Sequence, residues 1–177
     1  PRLDDLQCVF GCLEGFLAAK PGGSLPVLAV FNNEEVGSNT RQGADSTFLT
    51  DVLERIAHGC GLDSEAWKAA VANSFMVSAD NAHAIHPAHP EYADKGEFPV
   101  LGGGIVIKYN ANQRYTTDAV SGAVFQAICQ EAGVPVQRYS NRADLPGGST
   151  LGNISNSKVS LNTVDIGLPQ LAMHSSY

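Results

Sequence analysis

Apolar residues recur at helical spacing through the first turns of the chain, at Leu3, Leu6, Val9, Phe10, Leu13, Phe16 and Leu17. This pattern predicts a helix that stops before Pro21, Gly22 and Gly23. Residues 25 to 31 then form a short continuous apolar run, as expected of a strand buried on both faces. Phe48, Leu49, Val52, Leu53 and Ile56 predict a helix from about Asp45 to near Gly59 and Gly61, and a second helix follows over residues 64 to 73. Strands are predicted at 74–79, 105–109, 134–139 and 160–166, with a helix over 117–131 closed by Gly133. A polar loop rich in His and Pro occupies 81–98, and a Gly-rich turn at 144–152 opens a short helix. Strand and helix alternate throughout, which predicts a single α/β domain with a mainly parallel central sheet.

Composition narrows the class. With 177 residues and 44% hydrophobic content, the chain can bury a core and is not disordered. Its apolar runs are far too short to span a bilayer. Eleven Lys and Arg against eighteen Asp and Glu give a net charge of -7, with no basic stripe, which argues against nucleic acid as a partner. Charged residues make up only 16%, where an average soluble domain has roughly 25%. That deficit implies surface covered by other copies or by further polypeptide. Cys8, Cys12, Cys60 and Cys129 show no framework spacing and read as reduced thiols of a cytoplasmic protein.

Ligands of open α/β sheets bind beyond the carboxyl ends of the strands. Asn32, Asn33, Glu34 and Glu35 follow the first predicted strand, Asp80 follows the second, and His174 lies past the last. Asp4 and Asp5 begin the first helix, where its positive end favours carboxylates. So many acids at one sheet edge repel one another unless a cation is present, and a metal site with two ions accounts for them economically. Each piece alone has an ordinary reading as a helix start, a solvated turn or a cap; their common placement carries the case. His83, His86 and His89 form a second grouping, but Pro87 and Pro90 oppose a regular helix there and favour a loop that packs its histidines. Residues 146–150 could offer backbone N–H groups to an anion or form a plain turn. No G-x-S-x-G elbow occurs, and no cysteine has an evident histidine partner.

Four motifs, in order, resemble the M18 family of aspartyl aminopeptidases: Arg2-Leu3-Asp4-Asp5-Leu6, Asn32-Asn33-Glu34-Glu35-Val36-Gly37-Ser38, Ser78-Ala79-Asp80-Asn81-Ala82-His83-Ala84 and Pro169-Gln170-Leu171-Ala172-Met173-His174-Ser175. Segments 108–115 and 141–152 are similar to family segments as well. The resemblance implies a zinc-exopeptidase-like three-layer α/β sandwich and a hydrolase, a metalloprotease with two zinc ions, cobalt or manganese being able to serve instead. It implies that Asp4 bridges the metals, Glu35 and His174 hold one, Asp80 holds the other, and Glu34 is the general base. It further implies removal of N-terminal Asp or Glu from peptides, with Lys108 as the cation for the substrate side chain. Tyr115, Gly148, Ser149 and His86 match substrate-side positions. Peptides with an N-terminal acidic residue are the expected partners, without nucleic acid or membrane, in a homo-oligomer.

The chain departs from the family pattern in two respects. The family's first metal-ligand histidine lies in an upstream His-x-Asp segment, and its inserted oligomerisation domain lies upstream too; neither precedes Asp4. Residues 1–177 are therefore expected to form the C-terminal part of a catalytic domain, inactive by themselves. A dinuclear aminopeptidase of broad specificity and a non-catalytic subunit of the same fold stand as alternatives.

Overall fold

The computed structural model describes residues 2–20 and 22–174. Pro21, within the predicted helix stop, and Ser175, the last residue of the fourth motif, lie outside the described residues. The described residues form five helices and six strands, opening with three helices and then three strands rather than alternating strictly: α1 (Leu3–Ala18), α2 (Phe48–Gly59), α3 (Ser64–Ala72), β1 (Phe75–Ala79), β2 (Ala82–His83), β3 (Ile105–Tyr109), α4 (Ala119–Glu131), β4 (Val136–Ser140), α5 (Leu151–Asn156), β5 (Asn162–Gly167) and β6 (Pro169–Gln170). The central sheet has the order β1-β5-β3-β4. β1 runs parallel to β5, and β3 parallel to β4, while β3 meets β5 antiparallel through Val106↔Gly167 and Ile107↔Ile166. The sheet is thus mixed and mostly parallel. A second ladder, Ala82↔Pro169 and His83↔Gln170, joins β2, inside the predicted 81–98 loop, to β6 beyond the last predicted strand.

The core lies where the interior strands meet α4. Val106, Ile107 and Val164 are fully buried, and Phe125 and Cys129 of α4 pack with Ile107, Val164 and Ile166. β-Branched residues dominate these strands because both sheet faces are covered there. Gly104 precedes β3 at a φ of 106°, and a Cβ at this position would run into the Pro135 backbone. Glycine therefore permits β3 and β4 to enter the sheet side by side. α4 begins with a reciprocal cap: the Asp118 carboxylate accepts from Val120 and Ser121 N–H, and the Ser121 hydroxyl accepts from Asp118 N–H.

The structure corrects the sequence reading at residues 25–31. That segment has no regular secondary structure and joins no ladder, and Leu25, Val27 and Val30 are exposed. An apolar run favours burial, but a strand also needs a hydrogen-bonded neighbour, and none among the described residues supplies one. The stripe on α1 is likewise incompletely covered: Leu6, Phe10 and Leu17 remain exposed, and Cys8 is the buried residue of this helix. α2 begins at Phe48 rather than Asp45 because residues 40–47 make turns, with Gly43 N–H donating to the Thr40 carbonyl and Ser46 N–H to that of Gly43. Asp4 and Asp5 have non-helical backbone angles and stand just ahead of the regular turns of α1.

Replacing Asp118 by Ala removes the acceptor that holds the first turn of α4, and stability is expected to fall by about 1 kcal/mol. Urea unfolding followed by circular dichroism measures this as a lower midpoint with an unchanged slope.

Candidate metal centre

One cleft of about 270 Å³ gathers Asp4, Glu34, Glu35, Asp80, His83, Lys108, Tyr115, Tyr139, residues 145–150, Met173 and His174. Its floor is built from chain segments that leave the sheet or approach its edge. Asp80 follows β1 directly, and His174 follows β6 by four residues. Glu34 and Glu35 open a 3-10 turn (Glu34–Val36) whose entry, Asn33, adopts φ 61°. Asn33 is one of the residues that tolerate this left-handed conformation with little strain. The Asn33 amide donates to Thr40 Oγ1 at 3.0 Å, which pins the turn to the following loop.

Two sets of donor atoms lie close enough to hold a cation. Asp4, Glu35 and His174 form one, and Asp4, Asp5 and Asp80 form the other, the ligand atoms of each set lying within 4.8 Å of one another. Asp4 belongs to both. His174 Nε2 lies 2.8 Å from Glu35 Oε2 and 3.8 Å from Asp4 Oδ2. Asn81 ties these segments together: its amide donates to the Leu3 carbonyl and to Gln170 Oε1, each at 3.0 Å, and its oxygen lies 3.2 Å from Cys8 Sγ.

Electrostatics makes this arrangement costly without a cation. Burial first, then the Asp80 charge and the neighbouring Glu35 and Asp5, raise the Asp4 pKa to about 7. Burial and Asp80, acting against the Cys8 hydrogen bond and Lys108, raise that of Asp5 to about 6. Glu34 is raised to about 7 by burial and by Asp80 and Glu35. Asp4 Oδ1 and Asp5 Oδ1 are buried and accept no hydrogen bond. A divalent cation satisfies such oxygens and removes the repulsion, and a mixed carboxylate and imidazole donor set suits zinc. The residues present therefore fit a metal.

Lys108 is buried on β3 and is the one Lys or Arg among the residues that line the cleft. Its ammonium donates to the Asn81 carbonyl at 3.0 Å, lies 3.5 Å from Asp80 Oδ2, and stands 5.3 Å from the centre of the Tyr115 ring. Tyr115 packs edge-on against Tyr139, and its phenol is pushed up by burial and by Tyr139 and Asp80. Gly148 and Ser149 also line the cleft, within the 145–150 segment.

Other expected groupings do not assemble here. His86 does not line the cleft; its Nδ1 accepts from Ala88 N–H at 3.2 Å, and its ring lies 5.6 Å from that of His89. His83 parts from both and faces the cleft, with its imidazole pKa lowered by burial and by Lys108. Sequence reasoning grouped Asp5 with the gathered acids but did not name it as a ligand, and gave no role to Tyr139 or Asn141. The repeated acid at Asp4-Asp5 was the available sign for the first; nothing local signals the other two, which reach the cleft through β4 and the turn after it.

A mixed α/β sheet with paired carboxylate sets and a histidine beyond its strand ends is an arrangement of donors suited to divalent cations. The sequence model of the family described as Aminopeptidase I zinc metalloprotease (M18) matches residues 1–177, and the chain belongs to this family. It is 49% identical over 174 residues to the probable M18 family aminopeptidase 2 of Clostridium acetobutylicum, covering 98% of this chain and 40% of that protein. Its identity to the protein of the same description from Mycobacterium leprae is 44%, over 99% of this chain and 41% of the relative. The chain thus spans about two fifths of the length of the curated relatives it matches. Among solved structures, the M18 aminopeptidase of Thermotoga maritima superposes with a TM-score of 0.86 at 28% identity, covering 97% of this chain and 40% of the other. The mApe1 dodecamer of S. cerevisiae gives 0.78 at 31%, covering 99% and 40%.

Raised carboxyl pKa values favour the folded state only while the groups are protonated. Without metal, the protein should lose thermal stability as pH rises from the ordinary carboxyl range near 4 through about 7, where Asp4 and Glu34 ionise. Zinc should raise the melting temperature most at the alkaline end. Asp4→Asn should flatten the metal-free pH dependence and abolish the zinc-induced rise; differential scanning fluorimetry from pH 4 to 8 reads both.

Proposed function

We propose that this chain carries the carboxylate-rich part of the active site of a metal-dependent aminopeptidase that releases N-terminal Asp or Glu from peptides. The observation that carries the reading is Asp4, shared between the Glu35–His174 set and the Asp5–Asp80 set. In this reading two zinc ions would be held here, Asp4 shared between them, with Glu35 and His174 holding one and Asp80 the other. Bound there, the ions supply Lewis-acid polarisation of the scissile carbonyl and a nucleophilic water at neutral pH. Glu34 accepts the proton of the attacking water and returns it to the leaving amine. Its half-buried carboxyl, raised to about 7, has the proton affinity that this two-way transfer needs.

Acidic specificity rests on Lys108. A substrate carboxylate entering a cleft already lined by acids requires a cation, and Lys108 is the one available among the lining Lys and Arg. Tyr115, Gly148 and Ser149 bound the substrate side. Broad specificity is the second reading, favoured by the 3.5 Å pair of Lys108 with Asp80, which already engages this cation. Free thiols at Cys8, Cys12, Cys60 and Cys129 support a cytoplasmic setting. No helix among the described residues is long and apolar enough to cross a membrane. The exposed apolar residues of α1 and α4, together with the dodecamer formed by mApe1, support a homo-oligomer.

The test is release of the first residue from Asp-, Glu-, Leu- and Lys-peptides by the full-length protein, with and without chelator. Chelation should abolish release of Asp and Glu, and zinc should restore it. Glu34→Gln should lower kcat by about 10²- to 10⁴-fold while leaving zinc content unchanged. Lys108→Leu should remove the preference for acidic residues; an unchanged preference discards its role, and release of Leu by the unmodified protein favours broad specificity. No release from any peptide by a folded, zinc-loaded protein rejects the aminopeptidase reading.

A further inference from the structure

Asp165 sits within β5 with no solvent exposure, and its carboxylate is surrounded by donors from two separate segments. Oδ2 accepts from Thr116 N–H at 2.5 Å and from the Thr116 hydroxyl at 2.7 Å. Oδ1 accepts from the Thr150 hydroxyl at 2.9 Å. The neighbouring Thr117 hydroxyl accepts from Asp165 N–H at 2.8 Å, so the 115–117 segment is fastened to both the backbone and the side chain of one residue. Thr117 and Thr150 are themselves buried. Gly152 lets the start of α5 approach closely, since a Cβ there would collide with the Asp165 carboxylate and with Ser78. Among the described residues, no hydrogen bond joins segment 115–117 to segment 148–150 directly. Asp165 is the link.

Both segments line the cleft, one through Tyr115 and the other through Gly148, Ser149 and Thr150. We propose that Asp165 is a positioning residue for the substrate side of the cleft, a buried clamp that sets the 115–117 and 148–150 segments at a fixed separation. Resting on the aminopeptidase reading, this assigns to Asp165 the task of shaping the peptide-binding wall rather than touching metal or substrate. A buried carboxylate suits that task because it can accept from several donors at once, and a donor left without it would be buried unpaired. Asparagine keeps an acceptor toward Thr116 and turns its amide toward Thr150, whose hydroxyl can rotate to accept. Alanine keeps neither.

Backbone amide exchange on the protein, read by mass spectrometry, tests the clamp. In Asp165→Ala, amides of 115–117 and 148–152 should exchange about tenfold faster, while those of Val106, Ile107 and Val164 keep their protection. Asp165→Asn should stay within about threefold of the unmodified protein. Thr150→Val should loosen 148–152 alone, with Thr150→Ser restoring it, and this pair carries the test where Asp165→Ala fails to fold. With the full-length enzyme, Asp165→Ala and Thr150→Val should raise KM for peptide about tenfold with a smaller change in kcat, and the Asn and Ser variants should restore KM. Unchanged exchange in both segments overturns the proposal, as does acceleration spread evenly through β3 and β5, or loosened segments with an unaltered KM. An unmodified protein without peptidase activity rejects the aminopeptidase reading instead, and the exchange pattern then decides the clamp by itself.

Discussion

Repulsion among carboxyls governs this cleft. Asp4, Asp5, Glu34, Glu35 and Asp80 converge from the start of α1, the turn after residue 31 and the end of β1, and burial leaves Asp4 and Glu34 holding protons up to about 7. A fold that depended on its own stability alone would separate such groups. Their proximity is intelligible as a place prepared for positive charge: Lys108 stands beside Asp80, and the unpaired oxygens of Asp4 and Asp5 are donors that a divalent cation would satisfy.

The sheet makes that convergence possible at tolerable cost. β1 and β5 run parallel, so Asp80 and the β6 segment leading to His174 emerge at the same end. Asn81 then uses one side chain to join α1, the end of β1 and β6. Asp165 performs a comparable service for the 115–117 and 148–150 segments, which among the described residues share no hydrogen bond with each other. Two buried polar residues thus hold the walls whose charged groups would otherwise push apart. Satisfied networks of this kind are rigid because breaking any one bond strands a buried partner.

Membership in the M18 family agrees with these features without deciding every role in them. The family resemblance points to Glu34 as the base and Lys108 as the determinant of acidic specificity. The geometry adds a complication for Lys108, because its ammonium already serves Asp80 and the Asn81 carbonyl. Both readings of Lys108 require it to be buried and charged beside Asp80. They differ in whether an incoming carboxylate can share it.

Periodicity alone determined most of the elements: β3 at 105–109 and α3 from Ser64 are where the residue pattern puts them, because buried strands and capped helices are written locally. The motifs carrying Asp4, Glu34, Glu35, Asp80 and His174 were also legible, since acids grouped at a helix start or directly after an apolar run stand out. Tertiary structure alone decided the rest. Residues 25–31 are apolar enough for a strand, yet pairing depends on a neighbour that the local pattern does not encode. His83 and His86 look equivalent in sequence, but the β2–β6 ladder turns one toward the cleft and leaves the other against His89. Asp165 reads as an ordinary acid inside a strand; only contacts across 49 and 15 residues reveal it as a clamp. Local pattern records what a segment buries, whereas partners distant along the chain determine what each polar group does.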